Sequence, residues 1–137
     1  PPDATGIPWR DWLLDAASHF RRTLLAHRDG ARVVAAAQPS PAMAAFSERA
    51  MFVLVAQGEP LRRARLLVLL VERFTLGLVL EEQSNSPGQL ENSALDPQEA
   101  ASRYPTLTTA ILEYFSAGAT LDDLYRDSIR LILNPQP

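Results

Sequence analysis

Apolar residues recur at helical spacing along most of this 137-residue chain, and no sustained alternation of apolar and polar positions marks a half-buried strand. From Pro8, which suits the first turn of a helix, Trp9, Leu13, Ala16, Ala17, Phe20 and Leu24 follow every third or fourth residue. Arg10, Asp11, Asp15, Ser18, Arg21 and Arg22 fall on other faces. The pattern predicts an amphipathic helix ending near His27 or Arg28. Asp29-Gly30 is expected to make a corner, with Asp29 capping the next segment and Gly30 supplying a positive φ. Ala31 to Ala36 reads as a short apolar turn of helix at most, broken by Gln38-Pro39-Ser40-Pro41.

Ser40-Pro41 is a capping residue followed by a first-turn proline, and Met43, Phe46, Ala50, Val53 and Leu54 trace one stripe until Gln57-Gly58 stops the helix. Pro60 opens the longest helix, to about Ser84. It is apolar almost all round from Leu66 to Val71 and from Phe74 to Leu80, so it needs cover on two sides. One cover is its own core, and the expected second is another subunit. Residues 84–95 are the most loop-like and are expected to be disordered, while Asp96-Pro97-Gln98-Glu99 reads as the capped start of a short helix. Pro105 precedes a helix bearing Leu107, Ile111, Tyr114 and Phe115 that ends at Gly118. Thr120 starts a last one bearing Leu121, Leu124, Ile129, Ile132 and Leu133, which Asn134-Pro135 stops. The fold class is all-α.

Length and 47% apolar content are enough for one core, so residues 1–137 are expected to form a single domain. The net charge of -3 argues against gripping a phosphate backbone, and the arginines, among them Arg10, Arg21, Arg22, Arg28, Arg32, Arg62, Arg63 and Arg65, are spread among acids as on a solvated helix surface. No cysteine is present, which excludes a disulfide framework or a thiolate metal site and fits a reducing cytoplasm, the expected location. The chain begins Pro1-Pro2 without a secretory pattern and so reads as an internal fragment. The most apolar run, Leu66 to Leu80, is interrupted by Glu72-Arg73 and falls short of the roughly 20 residues a bilayer span needs, so no membrane partner is expected.

Catalysis has few candidates. Asp15 and His19 share a helical face, and His27 has charged neighbours, but there is no metalloprotease His pair, phosphate-binding glycine loop or nucleophile elbow. Glu81-Glu82 and Asp122-Asp123 are adjacent pairs that point to different faces. Neither an enzyme nor a cofactor is expected, and the two histidines read as solvent-exposed. Phe20, Val34, Met43, Phe46, Ala50, Met51 and Val68 come from four helices with their apolar faces inward. By periodicity alone this set reads as packed core before it reads as a pocket.

Two stretches change that reading: Leu24-Leu25-Ala26-His27-Arg28-Asp29-Gly30-Ala31-Arg32-Val33 and Arg73-Phe74-Thr75-Leu76-Gly77-Leu78-Val79-Leu80-Glu81-Glu82-Gln83. They resemble the inducer-binding part of tetracycline-repressor-type (TetR) transcription regulators, without a gap from about Trp9 to Gln83 and more loosely to about Leu133. The resemblance implies a C-terminal helical domain that dimerises through a four-helix bundle made by its longest and last helices. It also implies a small effector and operator DNA bound only through a helix-turn-helix head, of which this sequence has no pattern. Carried over by position, the family's pocket Phe, Pro and Glu are retained as Phe20, Pro39 and Glu81. Its Asn, His, Thr, Arg and Gln are replaced by Ala16, Val34, Ala37, Gln38 and Ala50. A magnesium chelate needs oxygen or nitrogen ligands that Val and Ala lack, so Mg-tetracycline is not the expected ligand. A hydrophobic one is, lined by Ala16, Phe20, Val34, Met43, Phe46, Ala50, Met51, Val68 and Leu69 beside Pro39 and Glu81, and oriented by Gln38, Arg65 or Glu72. Leu107, Ile111 and Tyr114 are expected to reach across the dimer. The alternative is that bulk such as Leu69 and Met51 fills the space, leaving a dimerisation or protein-interaction module with no natural ligand.

Overall fold

The computed structural model describes residues 6–37, 40–84 and 96–134, and among them seven helices and no strand. These are α1 (Trp9–Leu25), α2 (Gly30–Ala36), α3 (Pro41–Ala56), α4 (Leu61–Ser84), α5 (Pro97–Arg103), α6 (Pro105–Ser116) and α7 (Leu121–Leu133). The predicted starts are where the capping chemistry puts them. Ser40 accepts from the Met43 N–H, and Asp96 accepts from the Glu99 N–H. Thr120 and Asp123 cap reciprocally, the Thr120 N–H donating to Asp123 Oδ2 at 2.8 Å and the Asp123 N–H to Thr120 Oγ1 at 3.2 Å. The loop expected over residues 84–95 lies outside the described residues from 85 onward, and Ser84 itself is the last residue of α4.

The main core gathers α1, α3, α4 and α7 around Trp12, Leu13, Leu54, Val68, Val71, Tyr125 and Ile129. A second cluster, Leu24, Ala31, Met43, Leu76 and Val79 with Phe20, Val34 and Leu80 against it, lies under the α1–α2 corner. Gln57 ties the start of α1 to the end of α3: its side-chain oxygen accepts from the Trp9 N–H at 2.7 Å, and its amide donates to the Ile7 carbonyl at 2.9 Å. α4 buries Ala64, Leu67, Val68, Val71, Thr75, Leu76 and Val79, yet Leu66 and Leu70 stay over half exposed. The side of α4 that needs a second cover therefore has none among the described residues. No helix among the described residues is long and apolar enough to cross a membrane.

Two local expectations are corrected. At the corner the roles are exchanged: Asp29, not Gly30, takes the left-handed backbone, with φ 56°, and its side chain makes no cap hydrogen bond. Gly30 is required for space instead, because a Cβ there would sit 2.3 Å from the Leu24 carbonyl oxygen. Arg21 is no surface arginine either. It is buried, donates to Glu82 of α4 at 2.6 Å, pairs with Asp122 of α7, and lies 5.2 Å from the Tyr125 ring centre. Burial alone would lower its pKa, but the two carboxylates outweigh that and hold the guanidinium more firmly charged. A single charged side chain thus joins three helices, at a site where a hydrophobic residue would have left two acids unpaired.

Candidate functional site

Between α1, α2 and α3 lies a hollow of about 620 Å³, open to solvent and lined almost wholly by apolar surface. Its α1 wall is Ala16, His19, Phe20, Thr23 and Leu24, continued by His27 and Arg28 of the turn that follows. Gly30, Val33 and Val34 form the α2 side, and Ala42, Ala45 and Phe46 the α3 side. Phe20 and Phe46 stack across it, ring centres 5.2 Å apart and planes 22° apart, so two helices meet through an aromatic pair at the wall. The volume falls within the range of small-molecule sites.

Of the residues expected from the sequence to line a pocket, the structure brings Ala16, Phe20, Val34 and Phe46 together here. It takes Met43 into the second core cluster, and Ala50 and Val68 into the main core, where both are fully buried. The reason is helical phase. Met43, Ala50 and Leu54 turn toward α4, whereas Ala42, Ala45 and Phe46, about 100° per residue away, face the hollow. Met51 instead borders a separate shallow groove of about 300 Å³ with Phe52, Val55 and Leu61. Leu69 is half-buried, Arg65 and Glu81 are exposed, and none of the three lines the hollow. Gln38 and Pro39 lie outside the described residues.

Glu72 sits apart from the hollow as well. It is 4% exposed and accepts a short hydrogen bond from the Ser47 hydroxyl of α3. Burial raises its pKa, against the opposing pull of that hydrogen bond and of Arg65 and Arg73. Its hydrogen bond joins α3 to α4, and it does not line the hollow.

His19, Thr23, Leu24, His27, Arg28, Gly30, Val33, Ala42 and Ala45 line the hollow although the sequence pattern did not assign them to a pocket. Both histidines are exposed, as expected, but Asp15, the expected partner of His19, pairs instead with Arg126 at 3.4 Å. The spacing of His19 and Thr23, four residues apart, was the available signal: it puts both on one face of α1, next to that of Phe20, while His27 lies in the turn after the helix. Ala42 and Ala45 carried none, since alanine is equally at home on any face.

The corner that closes the hollow is fastened by a residue of α4. The Gln83 side-chain oxygen accepts from the Ala31 N–H at 3.3 Å, and its amide donates to the carbonyls of Leu24 at 3.1 Å and His27 at 2.9 Å. One side chain thereby fixes the end of α1 and the start of α2 to the end of α4. On the far side of the molecule α6 buries no residue. Leu107 and Ile111 are exposed, and the half-buried Tyr114 donates to Asp127 of α7 at 2.8 Å.

The described residues are thus all-α, with an apolar hollow between the first three helices and a long helix left half-covered. The family model described as "Tetracyclin repressor-like, C-terminal domain" matches residues 1–134, and the chain belongs to that family. It is 36% identical over 85 residues to the class E tetracycline repressor protein of Escherichia coli, an alignment covering 62% of this chain and 39% of that protein. It is 33% identical over 110 residues to the class A repressor from transposon 1721, also of Escherichia coli, covering 80% and 50%. With the Escherichia coli class C repressor it shares 28% over 125 residues, covering 91% and 57%. The chain spans about half the length of these curated relatives. They are repressors by name, regulators and not enzymes. No solved structure matches the chain.

Proposed function

We propose that this chain is the effector-binding and dimerisation domain of a tetracycline-repressor-type transcriptional repressor. In this reading the hollow between α1, α2 and α3 holds a small hydrophobic effector, and the chain is one domain of a longer protein whose head binds operator DNA. The single observation supporting it most is the hollow itself, an apolar site at the α1–α2 corner of a chain whose relatives are named for a small compound, tetracycline. An apolar hollow of this kind holds a guest mainly by burial, at about 25 cal/mol per Å². Occupancy displaces α2, and in the intact protein that shift changes the separation of two DNA heads. Coupling of this type is typically about 1–3 kcal/mol and reciprocal, so operator and effector each weaken the other.

The magnesium chelate does not fit. Val34 and Ala50 offer no ligand atoms, Glu81 is exposed away from the hollow, and no cluster of three or more His, Cys, Asp or Glu able to hold a metal occurs among the described residues. The proposed partner is a second copy of the chain. What supports it is apolar surface left open on α4 at Leu66 and Leu70 and on α7 at Leu121 and Leu131, the pair of helices from which the family builds its isologous bundle. Leu107, Ile111 and Tyr114 on α6 then extend toward the partner.

A thermal-shift screen of hydrophobic compounds tests the reading, because a ligand that prefers the folded state raises its melting temperature. Active compounds are expected to lose their effect in Ala45→Trp, which fills the hollow, and Mg-tetracycline is expected to produce no shift. Compounds that stabilise the wild type and Ala45→Trp equally would place the effector elsewhere.

A further inference from the structure

The rim of the hollow narrows the class of molecule it suits. Its polar side chains, His19, Thr23, His27 and Arg28, all come from one helix and its C-terminal turn, and no carboxylate lines it. Five of the thirteen arginines, Arg21, Arg63, Arg103, Arg126 and Arg130, meet a carboxylate among the described residues, and Arg28 is one of the eight that do not. Arg28 meets none among the described residues, and neither imidazole has a side-chain hydrogen bond there. The opposite wall is apolar, with the Phe20–Phe46 stack, Val33 and Ala45. In a chain of net charge -3, an apolar hollow whose ionisable lining, among the described residues, is one arginine and two histidines is complementary to an amphipathic anion.

We propose that the effector is an aromatic carboxylate, its ring against Phe20 and Phe46 and its carboxylate held by Arg28 and His27. This rests on the hollow being the effector site and adds the sign of the ligand's charge. It also moves the polar recognition from Gln38, Arg65 or Glu72, the groups expected from the sequence, to the turn that follows α1.

Naphthoate and its neutral isostere naphthamide, titrated calorimetrically into the purified chain, distinguish the two levels of the proposal. The acid is expected to bind at least about tenfold more tightly than the amide at low salt, as a charge-assisted guanidinium contact implies, and the gap should narrow at high salt. Arg28→Gln should bring the two to within about twofold by weakening the acid alone, and Ala45→Trp should abolish both. Equal binding of acid and amide to the wild type, or a preference that survives Arg28→Gln, overturns the anionic class while leaving the hollow as a site. Absence of binding by both overturns it together with the hollow's role.

Discussion

At the residue scale, the informative positions are those where a side chain, or its absence, is dictated by one neighbour. Gly30 is such a position, since the atom its Cβ would meet at 2.3 Å is main-chain carbonyl that cannot swing aside. Gly30→Ala is therefore expected to cost about 1–3 kcal/mol in denaturant unfolding, as overpacking does. Gly77, with nothing within 4 Å of an added Cβ, is the control, and Gly77→Ala should raise the stability of the single chain by about 0.5–1 kcal/mol. Glu72 is the second such residue. Its raised pKa means that the fold favours the neutral acid, so its contribution is full below the ordinary carboxylate value of 4.5 and is lost as pH rises through the folded value. Glu72→Gln keeps an acceptor for the Ser47 hydroxyl and removes the charge. Near neutral pH it should be as stable as the wild type or more so, with a flatter pH dependence above 4.5, whereas Ser47→Ala should cost about 1–3 kcal/mol. A Glu72→Gln variant that melts earlier at neutral pH would show that the carboxylate is held by its arginine neighbours, not penalised by burial.

Between elements, the joints matter more than the helices. Helix limits were largely legible, because Ser40, Asp96 and Thr120 are caps, Pro8 stands at the N-cap of α1 and Pro41 is a first-turn proline, all with local effect. What joins one helix to the next was not legible. Gln83 lies 52 to 59 residues from the groups it bonds, and nothing in its surroundings distinguishes it from the polar end of a helix. Its loss leaves an N–H and two carbonyls at the α1–α2 corner without that partner. Gln83→Leu is accordingly expected to destabilise the chain by about 2–3 kcal/mol and, more selectively, to speed amide exchange at Ala31 and its neighbours in α2. Unchanged exchange in α2 would mean that Asp29 and Gly30 hold the corner without α4. Arg21 is the same lesson in charged form: it sits on the polar-looking side of α1, and only α4 and α7, arriving with Glu82 and Asp122, turn it inward.

For the molecule as a whole, the unanswered surface is the one made by α4 and α7. Leu70 is 54% exposed and Leu131 71% exposed in the single chain, so Leu70→Glu with Leu131→Glu should leave helicity unchanged while converting a dimer to a monomer in sedimentation. A wild-type chain that sediments as one subunit at micromolar concentration would remove the proposed partner, although not the hollow. The two sites are mechanically continuous, since α4 has Leu70 near its middle and Gln83 near its end. Under the proposed function, movement at the corner would reach the helix proposed to face a second copy.

Periodicity, caps and prolines act over a few residues, and for that reason the sequence by itself determined the all-α class, the helix limits to within a few residues and the amphipathic faces. The stretches from Leu24 to Val33 and from Arg73 to Gln83 determined the family. The tertiary structure alone decided which apolar residues are core and which are wall. Met43 and Phe46 are equally apolar and three residues apart, and the helices packed on either side send one toward α4 and the other into the hollow. It also decided that Gly30 is needed for clearance and Asp29 for the turn, because a clash between Gly30 and Leu24 exists only once α1 and α2 have met at their angle.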